Sequence, residues 1–272
     1  MANVKVEGTN LNMAIVPRTI FTRFLFFIFL LLIANLIVIF SQAYFVFDDV
    51  HGLTRLFSFS AEKNIPTLFS SLALALSAAL LSVIATTHKR LKASYVPWFG
   101  LTIVFLFLAI DETASIHEKL TLPVRESLNT SGLLHFAWVI PYGIALAVFW
   151  AIYSKFLINL PRRTMVLFVV SGLTYVLGAM GLEMIGGLRA DLHGSDDLVY
   201  LLIVTGEEFL EMLGIVIFIY ALLSYMAEHL KELRIVVGHV SSQDDQNRRP
   251  PHSISTEPTE KADAQKRSIE IF

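Results

Sequence analysis

Apolar residues in this chain gather into six blocks, at about 24–47, 66–87, 96–118, 133–153, 164–185 and 198–226. Each is near the ~20 residues that an α-helix needs to cross a hydrocarbon core of ~30 Å. A core helix of a water-soluble domain is usually shorter, so the pattern predicts an all-α bundle of six transmembrane helices. Proline stands near the start of two blocks, at Pro66 and Pro97, where its missing N–H leaves no helical bond unmade. Pro141 falls inside the fourth block and predicts a kink there. The bundle is expected over residues 21–230. A polar flank (1–20) precedes it and a disordered tail (238–272), with Pro250 and Pro251 and no apolar periodicity, follows it.

The polar positions between blocks give an orientation. The N-terminal flank carries Lys5, Arg18 and Arg23, the second connection Lys89, Arg90 and Lys92, and the fourth Lys155, Arg162 and Arg163. The connections between these are poorer in Lys and Arg. Basic connections face the cytoplasm, so the alternation predicts six spans with both termini cytoplasmic. The first block is longer than a signal-peptide core of ~7–15 residues and is expected to be retained as a helix.

Composition narrows the function classes. Hydrophobic residues make up 55% and charged residues only 16%, against the ~25% of a soluble domain, so the bilayer is the expected partner. A net charge of −2 gives no reason to expect nucleic acid. With no cysteine, disulfides, thiolate metal sites and cysteine nucleophiles are excluded.

The remaining chemistry lies in acids at the ends of three blocks. The third block closes on Asp111, Glu112, His117 and Glu118, the fifth carries Glu183, and the sixth carries Glu207, Glu208 and Glu211. In the predicted orientation all fall in the outer half of the membrane. A carboxylate facing lipid there costs about 2.5–3.5 kcal/mol even on the gentler insertion scale. Helical geometry avoids that cost: Glu207, Glu208 and Glu211 share one arc, Asp111, Ser115 and Glu118 one stripe, and Ala179, Glu183 and Gly187 a face with Gly172. The acids are therefore expected to converge. His117 points away from Glu118 in an ideal helix and joins them only if the helix loosens. Candidate neutralisers are Arg125, Arg189, His117, His135 and His193; retained protons, a bound metal or a watery vestibule are the other options.

Carboxylates from facing helices with a histidine form the ligand type of bundle-held metal centres. The leading expectation is a metal-binding membrane protein, extending to a metal-dependent enzyme on a lipid or other membrane-embedded substrate. Asp111, Glu118, Glu183, Glu207, Glu211 and His117 would be the ligands of iron, manganese or zinc, and Glu208 and Glu112 the catalytic acid–base groups. The alternatives are a proton- or cation-coupled transporter and a non-catalytic membrane subunit. The aromatics, Trp138 and Tyr200 among them, read as interface anchors. Asp191, His193, Asp196 and Asp197 read as a solvated turn and helix N-cap.

The strings Leu108-Ala109-Ile110-Asp111-Glu112…Ile116-His117-Glu118 and Gly206-Glu207-Glu208-Phe209-Leu210-Glu211-Met212-Leu213-Gly214 resemble motifs of uncharacterised bacterial multi-pass inner-membrane proteins. The resemblance covers the spanning core and implies a bacterial inner membrane, with no activity attached.

Overall fold

The computed structural model describes residues 16–45 and 53–230, all within the unit Leu11–Leu233. The tail 238–272, most of the polar N-terminal flank and the end of the first expected span lie outside the described residues. Those described are helical, without strands: α1 (Pro17–Phe45), α2 (Leu53–Phe57), α3 (Ile65–Arg90), α4 (Val96–Ala114), α5 (Ile116–Leu128), α6 (Val139–Ile158), α7 (Arg162–Val176), α8 (Glu183–His193) and α9 (Leu198–His229). A 3₁₀ turn (Gly132–Leu134) precedes α6, and a π-helical turn (Leu177–Leu182) joins α7 to α8 in one continuous span. Six helices are long and apolar enough to cross a membrane, in the order that the sequence predicts.

α9 is the axis of the bundle, packed against α1, α3 and α7, while α3 pairs with α4. Gly214 explains the close approach of α7: a Cβ there would lie 2.8 Å from the Tyr175 nitrogen and 2.9 Å from the Ser171 carbonyl oxygen. In the half of the bundle away from the acids, Trp98, Phe168, Phe218, Leu222 and Tyr225 form the apolar core. α6 is different. It buries only Val139 and packs loosely against its neighbours, meeting the core mainly through the side chains of Phe149, Tyr153, Phe156 and Leu157.

The first span starts early, at Pro17, and the fifth runs on to His193, and two further boundaries that depart from the hydropathy pattern shape the site. The third span ends at Ala114, because Ser115 adopts a left-handed conformation (φ 48°, ψ 50°) and α5 starts afresh after it. The fourth span begins at Val139, six residues late, after Gly132 (φ 62°) and the 3₁₀ turn. Pro141 consequently sits in the first turn of α6, where its missing N–H has no helical partner to lose, and the expected mid-helix kink does not arise.

Candidate functional site

The break at Ser115 creates the first part of the site. A helix N-terminus leaves its first N–H groups unpaired. Asp111, from the last turn of α4, fills that need: its Oδ1 accepts the His117 backbone N–H at 2.9 Å, and its Oδ2 lies 3.2 Å from His117 Nδ1. The histidine that an unbroken helix would turn away is thereby brought back onto the acid. Burial works against the imidazolium. The hydrogen bond and charge of Asp111, with Glu112 and Glu118 behind it, outweigh that and raise the His117 pKa above its ordinary 6.5. The indole of Trp138 closes over this pair, its ring centre 4.7 Å from that of His117.

A loop brings in an acid that the sequence pattern did not single out. Asn64 caps α3, accepting from the Thr67 N–H at 3.1 Å, while its amide donates to the carbonyls of Ser58 and Ala61, both at 2.6 Å. The buried Asn35 of α1 accepts from the Phe59 N–H and donates to Thr205 of α9, each at 2.9 Å. With the loop tied at both ends, Glu62 reaches Ser115, whose hydroxyl donates to Glu62 Oε2 at 3.1 Å. Burial, and then the charge of Glu118, push the Glu62 pKa up despite that bond.

The π turn and α9 supply the rest. A π turn carries an extra residue, so the faces of α7 and α8 are out of phase with an unbroken α-helix. This takes Gly172 out of the expected close-approach stripe, which Gly187 keeps: Gly172 has no neighbour within 4 Å of a Cβ position, whereas Gly178 lies against the Glu207–Glu211 turn. Glu183 starts α8 and accepts from Trp138 Nε1 at 2.7 Å. Its carboxyl group faces that of Glu207 within hydrogen-bonding range. Glu207 is 9% exposed, and its Oε2 has no hydrogen-bond partner among the described residues.

The basic groups nearby are engaged elsewhere. Asp191 binds His135 Nδ1 at 3.0 Å, the Gly132 N–H at 2.9 Å and, more loosely, Arg125 at 3.7 Å. Asp197 binds Arg189 through both carboxylate oxygens, at 2.6 and 3.0 Å, and caps α9 through the Tyr200 N–H, the N-cap role its position predicts. Arg189 in turn holds the Asp197 pKa down to about 2. Of the expected neutralisers, only His117 meets the acids of the helix ends.

All eight candidate residues border one cavity of about 1030 Å³, together with Glu62. Its lining holds neither Lys nor Arg. Away from the acids the walls are apolar, with Leu108 of α4, Phe149 of α6, Gly172 of α7 and Phe218 of α9. The α6 wall runs from near Trp138 to Leu157, a rise of ~28 Å at 1.5 Å per residue. At the far end the Tyr153 side chain packs onto Gly100 and reaches the Pro97 carbonyl at 3.3 Å. Among the described residues, no group of three or more His, Asp or Glu is arranged to hold a metal ion.

Trp138 and Tyr200 thus serve the site rather than acting as simple anchors: the first bonds Glu183, and both line the cavity. The sequence carried no signal for this beyond their nearness to the acids.

Fold and cavity together define a polytopic helical membrane protein with a carboxylate-ended slot among its spans. The chain belongs to the family described as domain of unknown function DUF8692, whose model matches residues 24–226. That stretch takes in all but the outermost ends of the six spans and every residue of the candidate site. No curated protein and no solved structure matches the chain.

Proposed function

We propose that this is a multi-pass protein of a bacterial inner membrane, with both termini cytoplasmic, that takes a membrane-embedded amphiphile into the slot. A positively charged centre is held at the acid-lined outer end. The observation that carries this reading is the cavity itself. It joins eight carboxyl groups at one end to an apolar channel about as long as a hydrocarbon core. An ionised acid at membrane depth needs a counter-charge or a proton, and the lining offers His117 alone. The loose packing of α6 favours entry from the bilayer side.

The positive centre has two chemical sources, a divalent metal and an organic cation. The donor set favours the first as a second reading: Asp111, Glu118, Glu183, Glu207, Glu211 and His117 would close around iron, manganese or zinc, with Glu208 and Glu112 left as acid–base groups. The carboxylates would then have to draw together. A coupled carrier is less well supported, because the lining beyond Glu211 becomes apolar and offers no relay to the other face.

The test is native mass spectrometry of protein extracted in lipid nanodiscs, with elemental analysis of the same sample. A tightly held amphiphile near one equivalent is expected in wild type and is expected to be lost in Gly172→Phe, which adds a ring at a cavity-lining position where a Cβ meets nothing within 4 Å. Folded wild type without any retained amphiphile, or Gly172→Phe retaining it equally, would sink the reading. Stoichiometric metal, lost in a Glu207→Gln/Glu211→Gln double variant, would select the metal form.

A further inference from the structure

We propose that the positively charged centre is the primary ammonium group of a long-chain lipid amine, seated on Glu207 between Glu183 and Glu211; this rests on the slot reading above. Glu207 is the acid that identifies the headgroup. It is nine-tenths buried, it borders the cavity, and its Oε2 has no donor among the described residues. A buried acceptor left unpaired costs about 1–3 kcal/mol, and more when charged. The missing partner is therefore a hydrogen-bond donor, and the slot is where it would come from.

No basic or indole group among the described residues supplies that donor, and a proton shared with Glu183 is the one alternative to a ligand. Arg125 and His135 are held by Asp191, Arg189 is held by Asp197, and His117 is turned onto Asp111. Trp138 gives its one N–H to Glu183. An anionic headgroup is ruled against by charge, since a phosphate at this end would face Glu183, Glu207, Glu208 and Glu211 together. A quaternary ammonium matches the charge but has no N–H to give. A divalent metal needs at least three ligands drawn close, and the described residues present no such group. A primary ammonium radiates three N–H bonds and suits acceptors spread over facing helices, here the end of the π turn and one turn of α9. Behind the headgroup, Phe149, Gly172 and Phe218 line the path for an extended alkyl chain.

The test compares three probes of one chain length, octadecylamine, octadecyltrimethylammonium and octadecanol, bound to the full chain in nanodiscs at neutral pH. Binding is read by the fluorescence of Trp138 and Trp150, which line the slot. The amine is expected to bind at least ~10-fold more tightly than either other probe, the scale of a charge-assisted hydrogen bond. Glu207→Gln is expected to erase that preference. The comparison on wild type alone needs no variant to fold. Trimethylammonium binding as tightly as the amine would overturn the hydrogen-bond inference. Equal binding of all three probes would overturn the ammonium assignment, leave the slot standing, and mean that protons alone hold the acids. No saturable binding of any probe would overturn the slot reading and this inference with it.

Discussion

Gly178 meets Glu207 backbone to backbone: a Cβ on the glycine would lie 2.7 Å from the Glu207 carbonyl oxygen. The same Cβ would press on Leu210 and Glu211, each at 3.1 Å, so the π turn is seated on the acid-bearing turn of α9. Gly178→Ala is expected to destabilise the fold by about 1–3 kcal/mol, because neither backbone can yield without moving a span. Gly172→Ala, with nothing within 4 Å, is expected to be neutral or to stabilise by up to ~1 kcal/mol through restriction of the unfolded chain. Thermal unfolding of the two variants in one detergent checks the contrast. Equal melting temperatures would mean that the α7–α9 approach is not set at Gly178.

His117 and Asp111 are expected to titrate as a linked pair. Burial opposes the imidazolium, but the Asp111 carboxylate overrides it, so the His117 midpoint lies above 6.5. A histidine with a raised folded-state pKa stabilises the fold fully below its unfolded value. It loses that contribution as pH rises through the folded value. NMR of labelled imidazole carbons should therefore give a midpoint above that of free histidine, and Asp111→Asn should bring it down. An unchanged midpoint in the variant would show that Asp111 does not hold the proton on His117.

Trp138 and Glu183 should prove energetically coupled. The indole N–H is a donor only, and Glu183 Oε1 accepts it at 2.7 Å in a half-buried setting. Trp138→Phe is expected to cost more than its lost area, because it leaves the acid without that donor. Glu183→Gln retains an acceptor and should cost less. A double-mutant cycle with Trp138→Phe and Glu183→Ala should return a coupling of about 0.5–3 kcal/mol in thermal stability. Strict additivity would reduce the contact to packing.

The six spans were legible in the sequence because membrane crossing demands long apolar runs, and no tertiary detail alters that demand. The convergence of the acids was legible for a related reason, since a helix in lipid must turn its charges inward. The breaks were harder to read. Nothing in Thr113-Ala114-Ser115-Ile116 marks a stop, and Ser115 takes a left-handed conformation only because Asp111 and Glu62 secure it from both sides. The π turn was equally hidden, so a face drawn at 100° per residue chose Gly172 where the structure uses Gly178. Glu62 escaped notice because it lies in a short loop. Its placement depends on Asn35, a residue that reads as a mere interruption of the first apolar block.

Arg189 and Asp197 give the loop before α9 a defined acid sensitivity. The bidentate bond from Arg189 holds the Asp197 pKa at about 2, below its ordinary 3.8. A depressed carboxylate contributes stability that is present above the unfolded pKa and lost as pH falls through the folded one. Arg189→Gln is therefore expected to melt below wild type at pH 5 and above, with the gap closing between about pH 4 and pH 2. The N-cap bond from Asp197 to Tyr200 survives in that variant, so helix capping does not confuse the comparison. A gap that persists undiminished at pH 2 would assign the loss to packing of the arginine stem.

The orientation of the slot decides which leaflet supplies its ligand. Lys89, Arg90 and Lys92 in one connection, and Lys155, Arg162 and Arg163 in another, lie at the ends of the spans remote from the acids. Clusters of Lys and Arg are expected on the cytoplasmic side, which would send Glu183, Glu207 and the mouth of the slot to the outer face. A reporter active only outside the cytoplasm, inserted after Ser131, should be active, and the same reporter inserted after Lys92 should be silent. Ser131 follows α5 and directly precedes the 3₁₀ turn, so the insertion interrupts no span. The reverse pattern would put the acids on the cytoplasmic side, and the ligand would then enter from the inner leaflet.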